Sequence, residues 1–222
     1  MTGPRAPRSA TAAARAPTRK PIPRYDGFDY RTTGAYFITT VTNHRLQVFG
    51  TIDDAILKPS QRGRIVERCW RDVPNHRPNV RLDAFVVMPN HFHAIVRIED
   101  GPASAGDASV ERTGAVGATP ASPADAQRPP VPPGSLSAII GAFKAAVSRE
   151  INRVRPNAAT NLWQRSFHDR IIRDEPELTA IRNCIIRNLV DWQFDEHNAS
   201  ARSFRTLDGL LKTLRVAQTR DT

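Results

Sequence analysis

Two cysteines, Cys69 and Cys184, are all that the 222 residues contain. Two thiols cannot make the disulfide framework of a small secreted domain, so a reducing, cytoplasmic interior is the natural compartment. Long apolar runs are missing too. No stretch approaches the roughly 18 residues that a membrane span requires, and nothing near the start has the apolar core of a secretion signal. Membrane and secreted roles therefore drop out. Acid is missing from residues 1–24, which hold Arg5, Arg8, Arg15, Arg19, Lys20 and Arg24 beside five prolines. That stretch has too few large apolar side chains to offset its ordering entropy, and it reads as a disordered basic arm, although a transit peptide has a similar composition.

What is present is a formal charge of +10, from 32 Lys and Arg against 22 Asp and Glu, which favours a polyanion as partner. Six of those ten charges belong to the arm. Residues 101–134 carry seven prolines and a net charge of −1, the composition of a flexible insertion. Setting both segments aside leaves 164 residues with about half of the net charge. That is one domain, residues 25–198, interrupted by a long loop and large enough to bury its own core. A tail, residues 199–222, follows. Its Leu207, Leu210, Leu211 and Leu214 with Lys212 and Arg215 suit a short basic amphipathic helix, which would dock on the domain or on a second protomer.

Within the domain, residues 35–42 (AYFITTVT) are β-branched and aromatic and predict a strand. Ile65, Val66, Cys69, Trp70 and Val73 recur at spacings of three and four, predicting a helix over 61–73. The apolar runs 80–88 and 91–98 flank Pro89-Asn90 and predict a hairpin. A helix over 135–155 is expected, with Ser135 as N-cap and Pro156 past its end, then a strand over 166–173 and a last helix over 176–197. The order β-α-β-β-α-β with an added helix predicts an α+β, ferredoxin-like, four-stranded antiparallel sheet, two helices on one face and the other face open. Many enzymes, regulatory domains and nucleic-acid binders use this fold, so the order alone does not decide function.

The strand after Pro89-Asn90 reads His91-Phe92-His93-Ala94-Ile95-Val96. Strand side chains alternate, so His91, His93 and Arg97 share the open face while Phe92, Ala94 and Val96 pack under the helices. Two imidazoles so placed can hold one metal ion, or stand half exposed with no ligand. On the last helix Leu178, Ile181, Ile185, Leu189 and Trp192 form an apolar stripe, with Cys184 and Asn188 along its edge. A helix closing over the sheet would bring both to the histidines. The Asn188 amide oxygen would then complete a His91, His93, Asn188 set suited to Mg²⁺ or Mn²⁺; its other reading is a surface residue near the helix end.

Met88-Pro89-Asn90-His91-Phe92-His93, the run Trp163-Gln164-Arg165-Ser166-Phe167-His168-Asp169 and the Ile171-Ile172-Arg173 that follows resemble the REP-associated tyrosine transposases. These belong to the HUH single-strand nucleases, in which U is a bulky apolar residue, here Phe92. The resemblance covers most of residues 24–198. It implies a divalent-metal-dependent enzyme that nicks and joins hairpin-bearing single-stranded DNA, with the two histidines on the ion and the ion polarising the scissile phosphate. It also implies a tyrosine nucleophile on the last helix, which keeps the bond energy as a phosphotyrosine, and a polar metal ligand one turn later. Asn188 matches the ligand. The nucleophile position holds Cys184 instead, and Leu189 stands where the family has Pro.

Three roles fit Cys184. It is a small apolar residue in a relative that binds DNA without cutting it, a thiolate nucleophile, or a soft ligand that would turn the ion to Zn²⁺. Tyr25, Tyr30 and Tyr36 all lie at or before the first strand. Candidate phosphate contacts are Arg97, Lys144, Arg149, Arg165, Arg170 and Arg173, and Trp163 and Phe167 would either stack on bases or join the core. The expectation is thus a cytoplasmic homodimer that binds hairpin-bearing single-stranded DNA, with strand transfer weakened or lost and no small-molecule cofactor. The alternative is a catalytically inactive, domesticated DNA-binding or regulatory protein of the same fold. RNA binding is disfavoured, because neither inner strand carries the aromatic ladder of an RNA-reading sheet.

Overall fold

The computed structural model describes residues 32–100, 132–157, 161–198, 200–201 and 209. The basic arm, all but the end of the 101–134 segment and the leucines of the tail lie outside the described residues. No helix among the described residues is long and apolar enough to cross a membrane.

The strands and helices follow the local chemistry. β1 (Gly34–Val41), β4 (Val80–Val87), β5 (His91–Ile98) and β6 (His168–Ile172) form one sheet in the order β4-β5-β1-β6, antiparallel throughout. With α1 (Gln61–Arg71), the one-turn α2 (Val73–His76), α3 (Leu136–Val154) and α4 (Glu175–Arg187), this is the expected ferredoxin-like α+β arrangement. Ser135 caps α3 by accepting from Ala138 N, and Ser60 caps α1 by accepting from Gly63 N. Gly63 has a second role: a Cβ there would lie 2.1 Å from Phe49 O, so only glycine lets the first turn of α1 cross that backbone.

One face of the sheet packs Tyr36, Ile38, Phe92, Ala94 and Val96 against α1 and α3. At its centre Trp70, Phe92 and Phe143 meet pairwise with ring centroids 5.1–5.3 Å apart. Trp163 and Phe167 pack against this cluster, Trp163 lying 5.2 Å from the Phe49 ring, so both belong to the core.

Two features depart from expectation. β2 (Gly50–Asp53) and β3 (Ile56–Pro59) form a small hairpin that the pattern does not announce. Its two-residue turn, Asp54-Ala55, has φ of 48° and 60°, left-handed at both positions without a glycine to signal it. The last helix also stops early. α4 ends at Arg187 with Asn188 as its C-cap, and the chain continues through a 3₁₀ helix, Val190–Phe194. The cause is a tightening of the bonding step, with Asn188 N–H donating to Ile185 O and Asp195 N–H to Trp192 O, each three residues back. The second face of the sheet is consequently covered. Leu178, Ile181 and Ile185 of α4 pack on Phe37, Ile95 and Ile172, and the segment beyond α4 runs back toward His91.

Candidate metal centre

His91 and His93 lie on the inner strand β5, opposite Val41 and Thr39 of β1. Period-two alternation sends both to the α4 face, and their ring centroids are 4.5 Å apart. They are not half exposed: His91 is 0% and His93 8% accessible. Phe37 stacks on His93 at 5.3 Å, and Trp192 lies 6.0 Å from His91. Burial therefore holds the His91 pKa well below the ordinary imidazole value and pushes that of His93 down to about 3. Both rings are neutral at physiological pH, the state in which an imidazole binds metal.

The hydrogen bonds fix which nitrogen faces the site. Asn90 Nδ2 donates to His197 O at 2.8 Å and to Arg45 O at 3.1 Å, so Asn90 Oδ1 is the acceptor that meets His91 Nδ1 at 2.8 Å. His91 Nδ1 must carry the proton, and Nε2 keeps a lone pair. Nε2 is buried, has no hydrogen-bond partner and points at Asp195 Oδ2, 3.6 Å away. The Thr39 hydroxyl meets His93 Nδ1 at 2.7 Å, leaving Nε2 as the nitrogen available to a ligand.

Asp195 comes from the segment beyond α4. One ligand atom from each of His91, His93 and Asp195 lies within 4.8 Å of the others. Asp195 is 11% exposed, and burial pushes its carboxyl up to about 6, while a 2.6 Å hydrogen bond from His197 N opposes that rise. The residues fit a divalent cation: two neutral imidazoles and a carboxylate converge with no donor between the Asp195 oxygen and His91 Nε2, and a cation would resolve that repulsion. Imidazole with carboxylate suits Mn²⁺ or Zn²⁺, and the oxygen also suits Mg²⁺.

Asn188 caps α4, at the point where the chain turns toward Asp195. Cys184 is partly buried on α4, and burial, with a smaller contribution from Asp191, pushes its thiol pKa up. Among the described residues, Cys184 is outside the group that could hold a metal. Arg97 is paired with Asp83 at 3.2 Å and Arg170 with Glu177 at 2.7 Å. Lys144 Nζ donates to Gln164 O at 2.6 Å, and burial lowers its pKa to about 8. Arg149, Arg165 and Arg173 are exposed. Sequence reasoning missed Asp195 and His197. The one available signal was the run Asp195-Glu196-His197, metal-binding side chains just past a helix that covers two histidines.

No family model matches the chain. It is 30% identical over 175 residues to an uncharacterized protein of Haemophilus influenzae, covering 78% of this chain and 89% of that protein. Among solved structures it is similar to a REP-associated tyrosine transposase bound to a REP hairpin, with a TM-score of 0.50 and 16% identity, over 84% of this chain and 90% of that one. That likeness extends to the fold, a mixed α+β chain around a four-stranded antiparallel sheet.

Proposed function

This chain belongs to the same family as the Haemophilus influenzae protein, and from its transposase-like fold and its histidine pair we propose that it is a transposase-like DNA-binding protein of the HUH single-strand nuclease class. The observation that carries the proposal is the convergence of His91, His93 and Asp195 on that fold. His91 and His93 hold a divalent ion, Mg²⁺ or Mn²⁺, and an oxygen from Asp195 or Asn188 completes the set. Bound there, the ion supplies Lewis-acid polarisation of a phosphate oxygen. The substrate is single-stranded DNA with hairpin structure, a reading supported by the REP hairpin bound to the REP-associated tyrosine transposase in its solved complex. The exposed Arg149, Arg165 and Arg173 take backbone phosphates. Arg97, Lys144 and Arg170 join them on release of Asp83, the Gln164 carbonyl and Glu177.

Strand nicking and joining is the step in which Cys184 decides the outcome. A thiol whose pKa is raised by burial is a poor source of thiolate, and a cysteinyl side chain is shorter than a tyrosyl by about one ring. These two points favour weakened or lost strand transfer in a protein that we read as a cytoplasmic homodimer binding hairpin DNA. They also favour Cys184 as a small apolar side chain over Cys184 as nucleophile.

The test uses the full chain, labelled hairpin single strands and Mn²⁺. The expected result is hairpin binding with no covalent adduct from the wild type and an adduct from Cys184→Tyr. A wild-type adduct lost in Cys184→Ser would revive the thiol mechanism. Undiminished Mn²⁺ affinity after His91→Ala and His93→Ala would remove the metal centre altogether.

A further inference from the structure

Asn90 ends the tight turn between β4 and β5, and it is fully buried. Its backbone is pinned from the end of β1, because Thr42 N donates to Asn90 O at 2.9 Å, and the single Thr42 hydroxyl proton lies between Asn90 O and Leu46 O, each 2.9 Å from Oγ1. On either side, Phe49 N donates to Pro89 O and Met88 N to His91 O. The side chain on this backbone is oriented by its own bonds, and both its amide oxygen and its amide nitrogen are used. Oδ1 accepts from His91 Nδ1, while Nδ2 donates both to Arg45 O, in the 3₁₀ turn after β1, and to His197 O, in the segment that delivers Asp195. Arg45 in turn donates from Nη1 to Glu196 O at 2.8 Å, so one residue pair ties down two successive carbonyls of that segment.

We propose that Asn90 is the positioning residue of the metal centre: its amide fixes His91 in the tautomer whose Nε2 is open to a cation, and it latches the His197 carbonyl so that Asp195 is presented to that nitrogen. The inference rests on the metal reading of His91 and His93 given above. An asparagine is required by this double role. The carboxylate of Asp accepts from His91 but cannot donate to His197 O, and the hydroxyl of Ser is too short to span both partners. The arrangement also accounts for an amide buried so completely, since a buried amide is tolerated when its donors and acceptor are all satisfied.

The first measurement needs no variant. Long-range ¹H–¹⁵N correlation of the metal-free wild-type chain reads the His91 tautomer directly. A protonated Nδ1 and an unprotonated Nε2 are expected, and a proton on Nε2 would overturn the proposal whatever the variants do. The second measurement compares Mn²⁺ affinity by calorimetry, and amide exchange over 192–198 by mass spectrometry, in wild type, Asn90→Ala and Asn90→Asp. Asn90→Ala should weaken Mn²⁺ binding about 10- to 100-fold, the usual effect of removing a partner that orients a ligating histidine, and should speed exchange in the segment. Asn90→Asp should keep the His91 tautomer and still speed exchange, separating the two roles. Asn90→Ala with Mn²⁺ affinity and exchange both within twofold of wild type refutes the proposal while leaving the metal centre standing. Failure of the metal centre itself is distinguishable, because Mn²⁺ affinity would then be unchanged by His91→Ala as well.

Discussion

Asp195 Oδ2 faces His91 Nε2 across 3.6 Å of buried space, and above the Asp195 pKa of about 6 neither atom brings a proton to the other. Electron pairs in such a position repel, so the metal-free site is held together against a local cost. Replacing one oxygen by an NH₂ group removes that cost. Asp195→Asn should therefore stabilise the metal-free protein, since Nδ2 can donate to His91 Nε2 while Oδ1 still accepts from His197 N. A gain of about 1 kcal/mol is expected from one new buried hydrogen bond. The same change should weaken Mn²⁺ binding by removing the anionic ligand. Urea unfolding in chelator and calorimetry with Mn²⁺ check the two halves, and equal stability with undiminished affinity would contradict both.

The ion pair between β4 and α4 gives a pH dependence far from the metal centre. Asp83 accepts from Arg182 Nε at 2.8 Å and Arg182 Nη2 at 2.7 Å, a two-point match of fork to carboxylate, and Arg97 adds a third bond at 3.2 Å. Arg182 is the main cause that holds the Asp83 carboxyl at about 2, against opposition from burial. The folded value lies below the unfolded one, so the stabilisation is complete above pH 4 and is lost as pH falls toward 2. Its size is roughly 1–2 kcal/mol once solvent screening is allowed for. Asp83→Asn should cost about that much at pH 6 and almost nothing at pH 2, measured by urea midpoints across the range.

Gly63 offers a sharper test of packing. A methyl group there meets Phe49 O at 2.1 Å, and the blocking atom is backbone that also accepts from Ser60 N at 2.8 Å. Neither the start of α1 nor the Phe49 backbone can yield without breaking that bond. Gly63→Ala raises helix propensity yet should destabilise the domain by about 2 kcal/mol or more, seen as a lower thermal midpoint. Gly141 on α3 is the control, because no atom lies within 4 Å of its added Cβ and Gly141→Ala should stabilise slightly.

The parts of the fold legible in the sequence are those written in a local period. His91 and His93 had to share a face of β5, and Leu178, Ile181 and Ile185 had to share a face of α4, because side-chain direction repeats every 2.0 and 3.6 residues. The β2-β3 hairpin lacked such a signal, since Asp54 and Ala55 take left-handed angles that sequence reserves for glycine or asparagine. Asp195 was illegible for a different reason. It follows the 3₁₀ helix in extended conformation, with no period to announce it, more than a hundred residues from His91, and is carried there by carbonyl bonds from Arg45 and Asn90 that leave no trace in composition. The same holds for the arginines. Charge was visible at Arg97 and Arg170, but their internal partners Asp83 and Glu177 were not.

Cys184 carries the last prediction. Burial and the neighbouring Asp191 both push its thiol up, while Arg187 pulls the other way with less effect. The thiolate is the reactive form, so the fraction of it at neutral pH should be below that of an unperturbed cysteine. Alkylation at pH 7.5 should accordingly be slower at Cys184 than in an unfolded peptide of the same sequence, with the rate still rising above pH 9. The Cys69 thiol is also pushed up, mainly by burial, so Cys69→Ser is the background in which the rate is read. An alkylation rate at Cys184 faster than the peptide's, levelling off below pH 8, would mean a stabilised thiolate. It would restore the thiol as a nucleophile for the phosphate.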